Sequence, residues 1–125
     1  MKKYDFTIVG AGIVGLSTAF SLTKKYPKSK IIIVEKADTF SKHQSGNNSN
    51  VIHSGIYYKP GSSKAINCRK GYDMLLKFLK KYNIPHEICG KIIVANSDNE
   101  IKQLMILFEK GKKNDLKGLK ILNED

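Results

Sequence analysis

One glycine spacing constrains this chain more than any other feature. Gly10-Ala11-Gly12-Ile13-Val14-Gly15 follows an apolar run, Tyr4 to Val9, and opens a stretch that reads as a helix from Ile13 to Tyr26. Pro27 stops that helix, because a proline ring cannot continue the hydrogen-bond ladder. A second run, Ile31-Ile32-Ile33-Val34, is wholly apolar, as strands of a parallel sheet covered on both faces are. It leads to Glu35, 20 residues beyond Gly15. Strand, glycine turn, helix and strand make a βαβ unit, whose crossover is right-handed as a rule. The spacing from the last glycine to the acid is that of a dinucleotide-binding fingerprint.

Each residue type has a physical reason. Gly10 permits the tight turn out of the strand, Gly12 leaves the backbone open to a pyrophosphate, and Gly15 lets the helix pack closely on the sheet. The helix N-terminus, at Ile13 and Val14, offers N–H groups and a positive dipole end to phosphates. Glu35 accepts hydrogen bonds from ribose hydroxyls and repels a 2′-phosphate, which selects against NADP. A ligand-free strand–helix turn is the bland alternative, and the acid at this spacing argues against it.

Further along, Lys36 to Gly61 is a long polar stretch without periodicity, and so long a stretch inside a compact domain is usually functional. A helix is expected from about Ser62 to Tyr82, with Ala65, Cys68, Tyr72, Leu75, Leu76 and Leu79 on one stripe. Pro85 and Gly90 bracket a change of direction, and Lys91 to Ala95 reads as a strand. Ser97-Asp98-Asn99-Glu100 matches a capping box, opening a helix whose Ile101, Leu104, Met105 and Phe108 share a face and for which Gly111 is the expected stop. Leu119 to Leu122 is read as the start of another strand.

The chain has 125 residues, 41% of them hydrophobic, and a net charge of +11. That is room for one compact unit, and no apolar run reaches the ~20 residues a membrane span needs. Met1 to Asp5 leads straight into the first strand with no signal or transit pattern, so a cytoplasmic location is expected. The basic excess is lysine on solvated helix faces, with Arg69 the only arginine. That argues against nucleic acid as a partner, because arginine is the preferred fork for phosphates and base edges. Cys68 and Cys89 have no metal-like spacing, and no metal site is expected.

The fingerprint alone leaves FAD and NAD open. The stretch from His43 to Tyr58 resembles the second flavin-contacting segment of the D-amino-acid-oxidase-like flavoproteins. Within it, Asn48-Ser49 and the run from Val51 through His53-Ser54-Gly55-Ile56-Tyr57-Tyr58-Lys59 to Gly61 resemble the L-2-hydroxyglutarate oxidase and dehydrogenase branch, as does Cys89 to Ala95. One departure is Asn50, where a smaller residue is expected; asparagine tolerates left-handed backbone.

The resemblance implies an α/β fold: a Rossmann-like FAD-binding domain, truncated, over residues 1–87, and the start of a mixed α+β substrate domain over 88–125. It implies FAD as cofactor, held by Gly10, Gly12, Ile13, Val14, Gly15, Glu35, Lys36, Gln44, Ser45, Asn48, Ser49 and Val51. It implies oxidation of L-2-hydroxyglutarate to 2-oxoglutarate, with electrons leaving to oxygen or to a membrane quinone chain; the latter would attach the enzyme peripherally to the inner membrane. His53 is the candidate catalytic base, since an imidazole titrates near working pH. Tyr57, Tyr58 and Lys59 are candidates to orient a 2-hydroxy dicarboxylate. The family's several hundred residues imply that 125 supply only part of a site and do not turn over alone. Two alternatives stand beside this reading. One is a related FAD oxidase of glycerol 3-phosphate, an amino acid or malate; the other is a non-catalytic or degenerate nucleotide-binding fragment.

Overall fold

The computed structural model describes residues 2–122. They form two compact units, one running to Val51 and the other from Ile52 onward.

The first unit is the βαβ element. Strand β1 (Phe6–Val9) and strand β2 (Ile31–Val34) pair in parallel, with Phe6 opposite Ile31 and Val9 opposite Val34. Asp5 locks the start of the pair: its carboxylate accepts the Lys30 N–H at 2.7 Å, and its own N–H donates to the Lys30 carbonyl at 2.9 Å. Helix α1 (Ile13–Lys25) packs on both strands. It ends at Tyr26, whose ring stacks on Phe6 at 5.5 Å, and Pro27 follows. Helix and second strand fall within one residue of their expected bounds, while β1 starts two residues later than Tyr4. Residues 36–51 are a chain of bends and turns.

The second unit carries helix α2 (Ser63–Lys81) and helix α3 (Asp98–Lys113). Ser62 caps α2, its Oγ accepting the Ala65 N–H at 3.2 Å. The capping box forms at α3: Ser97 accepts the Glu100 N–H at 3.4 Å, and Glu100 reaches back to the Asn96 N–H at 2.7 Å.

Three sequence expectations differ from the structure. Lys91–Ala95 is not a strand, and neither is the stretch from Leu119 to Leu122. A strand exists only as part of a ladder, and β1 and β2 are the strands among the described residues. Without a partner, Ile92 stays 77% exposed. Gly111 does not end α3, which runs two residues further. A β-carbon at Gly111 would stand 2.8 Å from the Leu119 methyl, so this glycine serves close approach. The stop falls to Asp115, at φ +56°, with Asp115 N–H donating to Lys112 O and Leu116 N–H to Gly111 O, the Schellman pattern.

Candidate functional site

The first constellation is the mouth of the βαβ unit. Gly10 leaves β1 with φ +99° while its N–H still donates to the Val34 carbonyl at 2.7 Å. A β-carbon on Gly15 would lie 1.9 Å from the Gly10 carbonyl oxygen, so only glycine lets α1 start this close to the turn. Gly12, the N-cap, has no side chain to accept from the first helical turn, and that turn carries no acidic residue. Ser45, 32 residues away, supplies the missing acceptor: its Oγ takes the Ile13 N–H at 2.8 Å. A serine oxygen thus occupies the place where the helix end would receive an anion. Ile13 and Val14 are 66% and 77% exposed, so this helix end is open.

Glu35 closes the other side. Oε2 accepts the Ala11 N–H at 2.7 Å and Oε1 accepts the Ala37 N–H at 3.0 Å. These backbone donors, Ala11 first, hold its carboxyl below the usual glutamate range against a smaller opposing effect of desolvation. Each oxygen keeps a further lone pair for a ribose hydroxyl. An open helix end, a glycine without a side chain, a reaching serine and an ionised acid together fit the ADP half of a dinucleotide.

The segment behind Ser45 is braced by its own side chains. Asn48 Nδ2 donates to the Ser45 carbonyl at 2.7 Å, and its Oδ1 accepts the Asn50 N–H at 2.8 Å. Asn50 sits at φ +53°, the left-handed geometry asparagine tolerates. Lys36, Gln44, Ser49 and Val51 are exposed along the same stretch. Glycines 10, 12 and 15, Ile13, Glu35, Ser45 and Asn48 are therefore brought together by direct contact.

The second constellation lies in the other unit, on residues 53–59. His53 is exposed, and its carbonyl accepts the Cys68 Sγ–H at 3.4 Å. The Tyr57 hydroxyl accepts from Lys91 Nζ at 3.0 Å, and Lys64 Nζ lies 4.6 Å from the Tyr58 ring centroid. Lys59 is exposed, and its carbonyl accepts both the N–H and the hydroxyl of the α2 cap Ser62. Two participants were invisible to sequence patterning: Lys91, and Asn114, whose Nδ2 donates to the Gly55 and Tyr58 carbonyls. The first sits in the misread strand and the second just past a helix end, where only the fold reveals their partners.

Comparison with known proteins gives a consistent result. Residues 5–125 match the family model described as FAD dependent oxidoreductase. The chain is 50% identical over 123 residues to the mitochondrial L-2-hydroxyglutarate dehydrogenase of Nematostella vectensis, covering 98% of this chain and 27% of that protein. It is 45% identical over 122 residues to the L-2-hydroxyglutarate dehydrogenase of Indibacter alkaliphilus, covering 98% of this chain and 31% of the other. Against the human mitochondrial L-2-hydroxyglutarate dehydrogenase it is 43% identical over 124 residues, covering 99% and 27%. The chain thus spans less than a third of the length of these relatives. Among the described residues, no helix is long and apolar enough to cross a membrane.

Proposed function

The chain belongs to the FAD dependent oxidoreductase family, and from that premise we propose that it forms the ADP-binding part of an enzyme that oxidises L-2-hydroxyglutarate to 2-oxoglutarate. The observation that carries this is 50% identity across 98% of the chain to a protein named for that substrate. The glycine–serine–glutamate geometry supplies the physical side.

In this reading the backbone at Gly10, Gly12, Ile13, Val14 and Gly15 receives the pyrophosphate. Glu35, with Lys36 beside it, receives the ribose. Gln44, Ser45, Asn48, Ser49 and Val51 line the path from phosphate toward the flavin. Ser45 exchanges the Ile13 N–H for a phosphate oxygen, at little cost because a hydroxyl also donates. Bound FAD supplies the acceptor for the hydride lost from C2 of the substrate. His53 takes the hydroxyl proton as that bond breaks, and Tyr57, Tyr58 and Lys59 orient the dicarboxylate. Residues 1–87 belong to the cofactor domain and 88–125 begin the substrate domain, with Gly90 at φ +76° near the change of direction. Electrons leave to oxygen or to a membrane quinone chain, the latter from a peripheral position on the inner membrane.

An absorbance titration of the purified chain with FAD tests the cradle. Saturable binding with a perturbed flavin band, lost in Gly12→Asp and in Glu35→Ala, is the expected result. A folded chain that leaves the flavin band unchanged contradicts the assignment of these residues. The chain alone is expected not to oxidise L-2-hydroxyglutarate, and turnover by the pure 125-residue protein would overturn the view that it holds only part of the site.

A further inference from the structure

We propose that Asn114 is a positioning residue for the loop that carries His53, Tyr57 and Tyr58. The inference rests on the reading of that loop as the substrate side of the site, but its geometry stands independently. Asn114 is 7% exposed and is the buried polar side chain among the described residues. Its Nδ2 donates to the Tyr58 carbonyl at 2.8 Å and to the Gly55 carbonyl at 3.2 Å, spanning more than fifty residues of sequence. Two carbonyl partners require the amide nitrogen to face them, which settles the orientation of the carboxamide.

The post is rigid because α3 makes it so. The Asn114 N–H donates to the Lys110 carbonyl at 3.0 Å, and the turn at Asp115 and Leu116 seals the helix end behind it. The loop it holds is a turn in which Gly55 has φ +89° and the Tyr58 N–H donates to the Gly55 carbonyl at 3.1 Å. Helix α2 braces the same loop. Cys68 Sγ donates to the His53 carbonyl, and a β-carbon on Gly55 would meet that sulfur at 3.2 Å. On the α3 side, a β-carbon on Gly111 would meet the Ile56 side chain at 3.4 Å.

Asparagine suits this post as no other residue does. Two carbonyl oxygens need two N–H donors on a short side chain. Aspartate would set carboxylate oxygens against carbonyl oxygens, serine offers one donor, and alanine leaves both carbonyls without this partner at a largely buried position. Losing Asn114 therefore frees the backbone direction from which the imidazole and the two phenol rings emerge.

The test compares the full chain with Asn114→Asp and Asn114→Ser by amide hydrogen exchange and by the ring resonances of His53, Tyr57 and Tyr58. In Asn114→Asp the Tyr58 amide is expected to exchange about tenfold faster or more, with all three ring signals shifted, while the interior amides of α2 and the affinity for FAD stay at wild-type values. Asn114→Ser, with one donor kept, is expected to fall between, and it carries the test if the aspartate variant does not fold. A wild-type Tyr58 exchange rate and unmoved ring signals in a folded Asn114→Ser overturn the proposal. Failure of the chain to bind FAD would instead count against the cofactor assignment and leave this readout intact.

Discussion

The two units specify their candidate sites in opposite ways. Up to Val51 the candidate site is written mainly in backbone: glycines without side chains, a parallel ladder in fixed register, and an exposed helix end, to which the Ser45 and Glu35 side chains are tied by backbone N–H groups. From Ile52 onward there is no sheet among the described residues. The 53–59 loop is held by two side chains remote in sequence, Cys68 of α2 and Asn114 at the cap of α3. A backbone site follows local rules and tolerates change in most of its side chains. A side-chain site depends on a few distant residues, and a single substitution can release it.

The largest effect is expected at Gly15. Its β-carbon would stand 1.9 Å from the Gly10 carbonyl, so Gly15→Ala must push α1 off the turn. Overpacking costs about 3 kcal/mol at the upper end, of which the better helix propensity of alanine returns up to about 1, leaving roughly 2 kcal/mol. Urea unfolding followed by resolved amide signals should show the loss in the first unit and leave α2 and α3 unchanged. An equal loss in both units would break the contrast between them.

Glu35 comes next. Glu35→Gln is expected to weaken FAD binding about tenfold, since charge-assisted hydrogen bonds to the ribose become neutral ones. The carboxyl is held below the usual range by the Ala11 and Ala37 N–H groups. Its contribution to stability is therefore complete above the ordinary glutamate range. It declines as pH falls through that range and is lost below the folded-state value. The acid limb of the midpoint-versus-pH curve should be shallower in Glu35→Gln, and two superimposable curves would deny Glu35 this part.

How much of this was legible follows the same division. Gly10 to Gly15 and Ile31 to Glu35 carry their meaning in spacings shorter than one supersecondary unit, so the βαβ unit and its bounds were readable. The capping box at Ser97 and Glu100 was readable for the same reason. Lys91 to Ala95 was misread because β-branched composition does not create a partner strand. Gly111 was misread because glycine answers two needs, a left-handed stop and a close approach, and here it answers the second. Ser45 was singled out as a cofactor residue, but its bond to the Ile13 N–H was not anticipated. Asn114 was not legible at all, since its partners lie at Gly55 and Tyr58.

Two smaller predictions sharpen the contrast within the second unit. Ser62→Ala removes the α2 cap and should cost about 1 kcal/mol, read as a lower unfolding midpoint of α2. Gly111→Ala should be close to neutral, within about 0.5 kcal/mol of wild type. Its β-carbon crowds the movable end of Leu119 and otherwise meets the Ile56 side chain at 3.4 Å, an ordinary contact, and alanine favours the helix. A cost comparable to that at Gly15 would mean that the second unit is packed as rigidly as the first.

The most direct measurement is a titration of the isotope-labelled chain with ADP, followed amide by amide. The account predicts saturable shifts at residues 10–15, at Glu35 and Ala37, and around Ser45 and Asn48. It predicts a change in the Ile13 amide as phosphate replaces the Ser45 oxygen, and no shift at residues 53–58. Shifts that avoid the glycine turn, or that centre on the 53–58 loop, would contradict a backbone cradle in the first unit.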